Sequence, residues 1–276
     1  MLVLAVLLCF VYASIITDAF MFVAVSPRKR ASLFMRPSES ELSENAQRAL
    51  DECNGDVNMA TQVIFQRDDA EDDRVRTWNA IAEFLPLDTG SLPSRTTKKL
   101  QTIASACFSK AAKSKDQGRL LDVGAGNGQL IPLLKKAGLK VNRAYVGMDI
   151  SPVMISQLKK KYSVEAHVGD YAEWDSGDEV YQTVLFNGVL QYTEDPLRMI
   201  TKAAVMSKII VIAHYQGRKF IREEKESMGD KIKDMPSRDE ILAALGPEWT
   251  FDEAHSRKET ELDDFYLLRV VRKNQR

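Results

Sequence analysis

Cysteine is scarce in this chain, and the three that occur, Cys9, Cys53 and Cys107, stand far apart. None of that spacing suits a metal-binding knuckle, and one of the three lies in a leader-like segment, so no metal and no disulfide framework are expected. Buried or bystander thiols are the simplest reading. An excess of either charge is missing too: 38 Lys and Arg face 39 Asp and Glu, for a formal net charge of −1. That balance gives no electrostatic reason to expect nucleic acid or an anionic membrane as partner. The uncharged apolar run over residues 2–16 falls short of the ~20 residues that a membrane-spanning helix needs. No internal repeat is visible. What is present is an ordinary globular composition, 45% apolar and 28% charged over 276 residues. That suffices for one sizeable domain with extras, or for two small ones.

The apolar run suits the h-region of a signal peptide, and Thr17 and Ala19 are small enough for the −3 and −1 positions of a cleavage site. A signal peptide over 1–19 leaves Phe20 at the new N-terminus. A retained signal anchor is the rival, because 21–25 is apolar too and only the α-amino group supplies positive charge ahead of the run. Residues 20–38 hold no acid, whereas Arg28, Lys29, Arg30 and Arg36 lie among Ser26, Ser32 and Ser38. That is the composition of an organelle transit peptide. The two segments, with Ala19-Phe20 at their junction, resemble the bipartite presequences of algae with secondary plastids. The resemblance implies a plastid reached through the secretory pathway, with secretion or an endomembrane location as the alternative. It also implies no membrane contact once the presequence is removed.

Residues 39–67 have helical spacing. Leu42, Ala46, Ala49 and Leu50 recur at three and four, Asn54-Gly55-Asp56 interrupts, and Val57, Ala60, Val63 and Ile64 resume the pattern. The stretch 49–65 is similar to the last two helices of ubiquitin-associated-type domains, with Asn-Gly-Asp as the turn and Asp56 as the cap. That resemblance implies a protein partner through 39–67; a plain helical hairpin packing on or tethering an enzyme is the other reading. An EF-hand is excluded, since Asp56 stands where glycine is required and Gln62 where the closing glutamate belongs. Residues 68–115 are expected to supply N-terminal helices of an enzyme. One has an apolar face of Trp78, Ile81, Ala82, Phe84 and Leu85; the other, 95–113, has Leu100, Ile103, Ala104, Cys107 and Phe108.

From residue 116 to 274 short apolar runs alternate with helices, the pattern of a parallel sheet with crossovers. A buried strand over 119–123 runs into Gly124-Ala125-Gly126-Asn127-Gly128, and a helix over 129–137 follows with Pro132 in its first turn. Such a turn uses glycine where the backbone must come close to a ligand. A dinucleotide fingerprint would be G-x-G-x-x-G, whereas the spacing here is G-x-G-x-G with Gln129 in sixth place. Asp122, two residues before the first glycine, would repel a pyrophosphate and suits a ligand bearing positive charge. Together these features favour a sulfonium and amino-acid ligand over a nicotinamide dinucleotide.

Leu120-Leu-Asp-Val-Gly-Ala-Gly-Asn-Gly-Gln129 resembles the first motif of the class I S-adenosylmethionine-dependent methyltransferases. The resemblance implies a doubly wound α/β fold with a seven-stranded sheet in the order 3-2-1-4-5-7-6, the last strand antiparallel. It implies S-adenosyl-L-methionine as cofactor and a cofactor-binding set of Asp122, Gly124, Ala125, Gly126, Gly128, Asp149, Ile150, Asp170, Tyr171 and Asn187. Asp149 ends a second strand (144–149) and would take both ribose hydroxyls, while Ser151 caps the next helix with Pro152 at N1. Asp170, after a third strand (164–168), would accept from the adenine amino group or simply form a turn. Residues 183–192 resemble the fourth strand and the active-site mouth, 208–213 the fifth strand, and 250–255 with 265–271 the closing antiparallel pair.

Methyl transfer from a sulfonium needs alignment and exclusion of water more than charge chemistry. A general base enters only for an undissociated hydroxyl or an ammonium. His214, at the end of the fifth strand where open sheets bind ligands, is the candidate base. Tyr192 is the second candidate catalytic residue, and Asn187 and Tyr215 line the same edge. A structural role for His214 stays open. Lys159, Lys160 and Lys161 read as a solvated helix face. The sequence lacks the Asn-Pro-Pro-Tyr run of base and glutamine methylases and the Pro-Cys pair of cytosine C5 enzymes, and a small-molecule acceptor is expected. The charged insert 216–236 is either a lid that selects the acceptor or a solvated connecting helix. A non-catalytic cofactor binder, a ubiquitin-type adaptor and a nicotinamide-dependent oxidoreductase remain as alternatives.

Overall fold

A computed structural model describes residues 43–66, 73–84, 94–108 and 118–273. The expected signal peptide (1–19) and transit-like segment (20–38) lie outside the described residues. The chain divides into two compact units, Met1–Ser94 and Arg95–Arg276.

In the first unit, Ser43 opens α1 (Glu44–Glu52) by accepting a hydrogen bond from the Ala46 N–H. Asn54 and Gly55 reverse the chain with φ of 52° and 80°. Asp56 then caps α2 (Val57–Gln66) by accepting from the Met59 N–H. A third helix, α3 (Asp73–Phe84), was expected to belong to the enzyme. It instead shares the core of the first pair: Ala80 and Phe84 pack with Ala46, Ala49, Leu50, Cys53, Ala60 and Ile64. The small side chains of Ala46, Ala49 and Ala60 let the three helices approach closely, and the Glu83 carboxylate accepts from the Ser43 N–H at 2.8 Å.

The second unit opens with α4 (Ser94–Ala106), whose Leu100, Ile103, Ala104 and Cys107 side is buried as expected, while Phe108 is half-buried. The expected continuation of this helix to 113 lies outside the described residues beyond 108. A seven-stranded sheet follows in the order β3-β2-β1-β4-β5-β7-β6. The strands are β1 (Leu120–Val123), β2 (Tyr145–Asp149), β3 (Glu165–Val168), β4 (Tyr181–Asn187), β5 (Ser207–His214), β6 (Trp249–Phe251) and β7 (Tyr266–Arg272). β1 to β5 run parallel, and β7 inserts antiparallel between β5 and β6. β1 and β2 are buried along their whole length, which is why they read as continuous apolar runs and do not alternate.

Helices cover the sheet: α5 (Ile131–Ala137), the single turn α6 (Val141–Ala144), α7 (Pro152–Tyr162), α8 (Pro196–Met206), α9 (Gly217–Met228) and α10 (Arg238–Leu245). Their ends follow local chemistry. Ser151 and Asp195 cap α7 and α8 ahead of proline at N1, and Ser237 with Glu240 makes a capping box for α10. β6 is shorter than the expected 250–255. Asp252 ends it, accepting from the Ala254 N–H and from His255 Nδ1 and pairing with Arg269, so the chain turns away from the sheet. Among the described residues no helix is long and apolar enough to cross a membrane.

Candidate functional site

At the carboxyl end of β1 the chain turns through Gly124, Gly126 and Gly128, all at positive φ. The turn is stitched to β2, because the Gly124 and Ala125 N–H groups donate to the Met148 carbonyl at 2.8 and 2.9 Å. Two of the glycines differ in what they make room for. A Cβ on Gly124 would lie 2.6 Å from Val189 Cγ2, whereas one on Gly126 would meet only Met154 Sδ at 3.6 Å. Gly124 therefore serves the protein's own packing, and Gly126 leaves open backbone at the mouth of the sheet.

Asp149, at the end of β2, holds this turn in place. Its Oδ2 accepts from the Gly126 N–H and its Oδ1 from the Ser151 N–H, each at 2.9 Å. Burial pushes this carboxyl above its ordinary value while backbone donors pull the other way. Both oxygens keep lone pairs for further donors such as vicinal hydroxyls. Asp122 lies deeper, 3% exposed, with the Tyr145 hydroxyl donating to Oδ2 at 2.9 Å. Burial pushes it up to about 7. Ile150 follows Asp149 half-exposed, and the Gly169 N–H donates to the Asp149 carbonyl at 3.0 Å, bringing the end of β3 alongside.

Asp170 accepts from the Ala172 N–H at 2.9 Å and so does form a turn. Tyr171, expected beside the cofactor, turns its ring into the core. It meets Phe186 edge-on at 5.5 Å, and its hydroxyl donates to Met206 Sδ at 3.7 Å. Only its backbone is left to border a ligand. Lys202 fixes that backbone from α8, donating to the carbonyls of Tyr171, Ala172 and Trp174 at 2.7, 2.9 and 2.5 Å.

The other half of the site lies at the ends of β4 and β5, where Asn187 pairs with Ala213. His214 is 5% exposed and stacks between Tyr215 and Phe220, with centroids 5.9 and 5.6 Å away. Burial, with the Lys99 charge second, pulls it down to about 4. It is neutral at pH 7 and a weak proton acceptor there. Tyr192 donates its hydroxyl to Glu224 Oε1 at 2.8 Å. Burial first, and then the Glu224 charge, raise its pKa well above the ordinary value, so it serves as a donor. Lys99 reaches over from α4, its ammonium donating to the carbonyls of Tyr215 and Asp264 at 2.8 and 2.6 Å. Lys159, Lys160 and Lys161 are exposed, as expected.

Two residues here went unnoticed in the sequence, Gln191 and Glu224, which are 1% and 6% exposed. Glu224 sits in a run of charged residues that reads as solvated. The signal that could have found it is its place three after Ile221 and seven after Gly217, on the buried side of α9. α9 is thus no solvated connecting helix; one face is packed inward. Burial pushes Glu224 up to about 7, against which the Tyr192 hydrogen bond works. Among the described residues no cluster of His, Cys, Asp and Glu could hold a metal ion.

Residues 120–208 match the family model described as a methyltransferase domain. That span runs from β1 into β5 and includes Asp122, the glycine turn, Asp149, Asp170 and Asn187. The strand order is that of a Rossmann-like methyltransferase fold, and the matched stretch from β1 into β5 is a methyltransferase domain. Similar solved structures include a magnesium protoporphyrin IX methyltransferase from Synechocystis with bound S-adenosylhomocysteine. It is 16% identical with a TM-score of 0.47, covering 82% of this chain and 97% of its own. A methyltransferase from Streptomyces caelestis is 12% identical with a TM-score of 0.47, covering 65% of this chain and 96% of its own. A plantazolicin methyltransferase complexed with a substrate analogue and S-adenosylhomocysteine is also 12% identical. Its TM-score is 0.46, with 86% of this chain and 98% of its own covered. No curated protein sequence matches the chain.

Proposed function

We propose that this protein transfers the methyl group of S-adenosyl-L-methionine to a small-molecule acceptor. The observation that carries the reading is the bond from the Gly126 N–H to the Asp149 carboxylate, which joins the glycine turn to the acid at the end of β2. In this reading Gly124, Ala125, Gly126 and Gly128 line the amino-acid side of the cofactor, and Asp122 lies beneath it. Asp149 and Ile150 hold the ribose. Asp170 and the backbone of Tyr171 border the adenine, and Asn187 marks the passage to the acceptor. The bound cofactor supplies a methyl carbon made electrophilic by the adjoining sulfonium. The chain's own residues position that group and keep water from the ends of β4 and β5, where Leu190, Gln191 and His214 are all buried.

The test is calorimetric titration of the whole protein with S-adenosylmethionine, S-adenosylhomocysteine and NADH. Micromolar binding of the first two, lost in Asp149→Ala, is expected, with no heat from NADH. Binding of NADH in their place would turn the reading to hydride transfer. Silence from all three in folded protein would leave the helices of the first unit as the working part.

A further inference from the structure

Among the described residues, four polar side-chain atoms at the ends of β4 and β5 and midway along α9 are buried without a hydrogen-bond partner, while a fifth such atom, Arg218 Nε of α9, lies 3.4 Å from the Asp263 carboxylate. The four are Asn187 Oδ1, Gln191 Oε1, His214 Nδ1 and Glu224 Oε2. Folded proteins rarely leave such atoms unpaired, and each demands a partner. They belong to one neighbourhood. The Gly188 N–H donates to the Ala213 carbonyl at 2.9 Å, and a Cβ on Gly188 would lie 3.8 Å from His214 Cδ2. Gln191 and Tyr192 follow in the same turn, and Tyr192 reaches Glu224. The Gln191 amide orientation is set by its Nε2, which donates to the Gly188 carbonyl at 3.3 Å, so Oε1 is the atom left over.

Three of the four atoms are oxygens, and an ionised Glu224 only accepts. The flanking surface is aromatic and flat, because His214 stacks between Tyr215 and Phe220 at interplanar angles of 8° and 9°. We propose that these residues form the acceptor subsite and that the acceptor presents a hydrogen-bond-donating nucleophile, an amine or a hydroxyl, on a flat ring. This rests on the methyltransfer reading and names the substrate class for it. As the heteroatom took the methyl carbon, the S–CH3 bond would break with its electron pair left on sulfur. The N–H or O–H bond of the acceptor would break with its pair kept by the heteroatom, and the proton would form a new O–H bond at Glu224 Oε2. An amine has further hydrogens for Gln191 and Asn187 to accept from, and Tyr192 steadies the other carboxyl oxygen. A carboxylate acceptor would meet three oxygens, one of them on a carboxylate, and be repelled; a hydrocarbon would leave every one of the four atoms unpaired.

The groups that face Glu224 and its surroundings fit the assignment. Tyr192 bonds to it directly, His214 and Tyr215 stand at the end of β5, and Lys99 is occupied with two backbone carbonyls. Burial holds Glu224 at about 7, close to where a proton acceptor works best in neutral solution, while His214 lies well below that.

The whole protein, saturated with S-adenosylhomocysteine, is titrated at pH 8 with benzylamine, benzyl alcohol, benzoate and toluene, followed by NMR. Benzylamine or benzyl alcohol should bind at least tenfold more tightly than benzoate and toluene, and the stronger of the two tells amine from hydroxyl. Glu224→Gln should weaken that probe at least tenfold while S-adenosylhomocysteine affinity stays within twofold. If Glu224→Gln does not fold, Gln191→Leu is measured in the same way and should weaken the probe at least threefold. Benzoate or toluene binding as well as the donors, or no donor preferred, means that water fills these partners and overturns the proposal. Unchanged probe affinity in the folded variant overturns it too. Failure of S-adenosylhomocysteine itself to bind is a different result, striking the methyltransfer reading first.

Discussion

Glu224 exposes the cost of a buried carboxyl in a form that unfolding can measure. Its folded pKa of about 7 lies above the ordinary 4.5, so the protonated form is the one the fold favours. The stability it contributes is complete below pH 4.5 and is lost as pH rises through 7. At about 1.4 kcal/mol per pH unit, the charged side chain costs on the order of 3 kcal/mol at pH 8. Gln is close in shape to the neutral acid and has no proton to lose. Glu224→Gln is therefore expected to be within about 1 kcal/mol of the parent at pH 5, and more stable by on the order of 3 kcal/mol at pH 8. Urea unfolding followed by tryptophan fluorescence at both pH values gives the two differences. Asp122, also held at about 7, and His214, held at about 4, slope the parent's own curve. They are present in both proteins and drop out of the comparison. An advantage equal at pH 5 and pH 8, or no advantage at pH 8, would refute the argument that burial sets this carboxyl's affinity for its proton.

Tyr145→Phe removes the hydroxyl that bonds Asp122; urea unfolding at pH 8 should show a loss of about 1–3 kcal/mol. The two mouth glycines should separate stability from binding. Gly124→Ala forces a side chain against Val189 at φ +71° and should lose more than about 1 kcal/mol together with S-adenosylhomocysteine binding. Gly126→Ala meets only Met154 Sδ at 3.6 Å, so its midpoint should fall less while calorimetry shows a comparable loss of affinity.

The strand order was legible only through the family resemblance. The residues that carry that resemblance, the glycine turn and the acids at the ends of β2 and β3, are local signals: each lies within a few residues of the strand it terminates. Asp149 could be singled out because one sequence window holds both the strand and its end. Tyr171 looked the same from its neighbours, yet its ring points inward, since the partners that decide this, Phe186 and Met206, come from β4 and α8. Glu224 was hidden for a related reason. A glutamate among Glu223, Lys225 and Glu226 reads as solvated, and what draws it inward is Tyr192, far back in the chain. The apolar face of the third helix is visible in the sequence, but the partners it packs with, Ala46 and Ile64 among them, are not.

The first turn of α9 is bonded into a distant stretch of chain. The Arg218 and Lys219 N–H groups donate to the carbonyls of Leu262 and Asp263 at 2.9 and 3.2 Å. Arg222 grips the Asp263 carboxylate with both Nη atoms, and Gly217 abuts that residue's carbonyl so closely that no Cβ would fit. Residues 259–264 lead directly into β7, which slots between β5 and β6. During synthesis β1 to β5 can therefore emerge with the glycine turn, Asp149 and Asn187 already in register, while Glu224 must wait for the closing strand. A nascent chain halted before residue 259 would carry the glycine turn and Asp149 and lack the stretch to which the first turn of α9 is bonded. On the proposed methyltransfer reading, such a chain would have the donor half of the site without the acceptor half, and chemistry would wait for the final stage of folding.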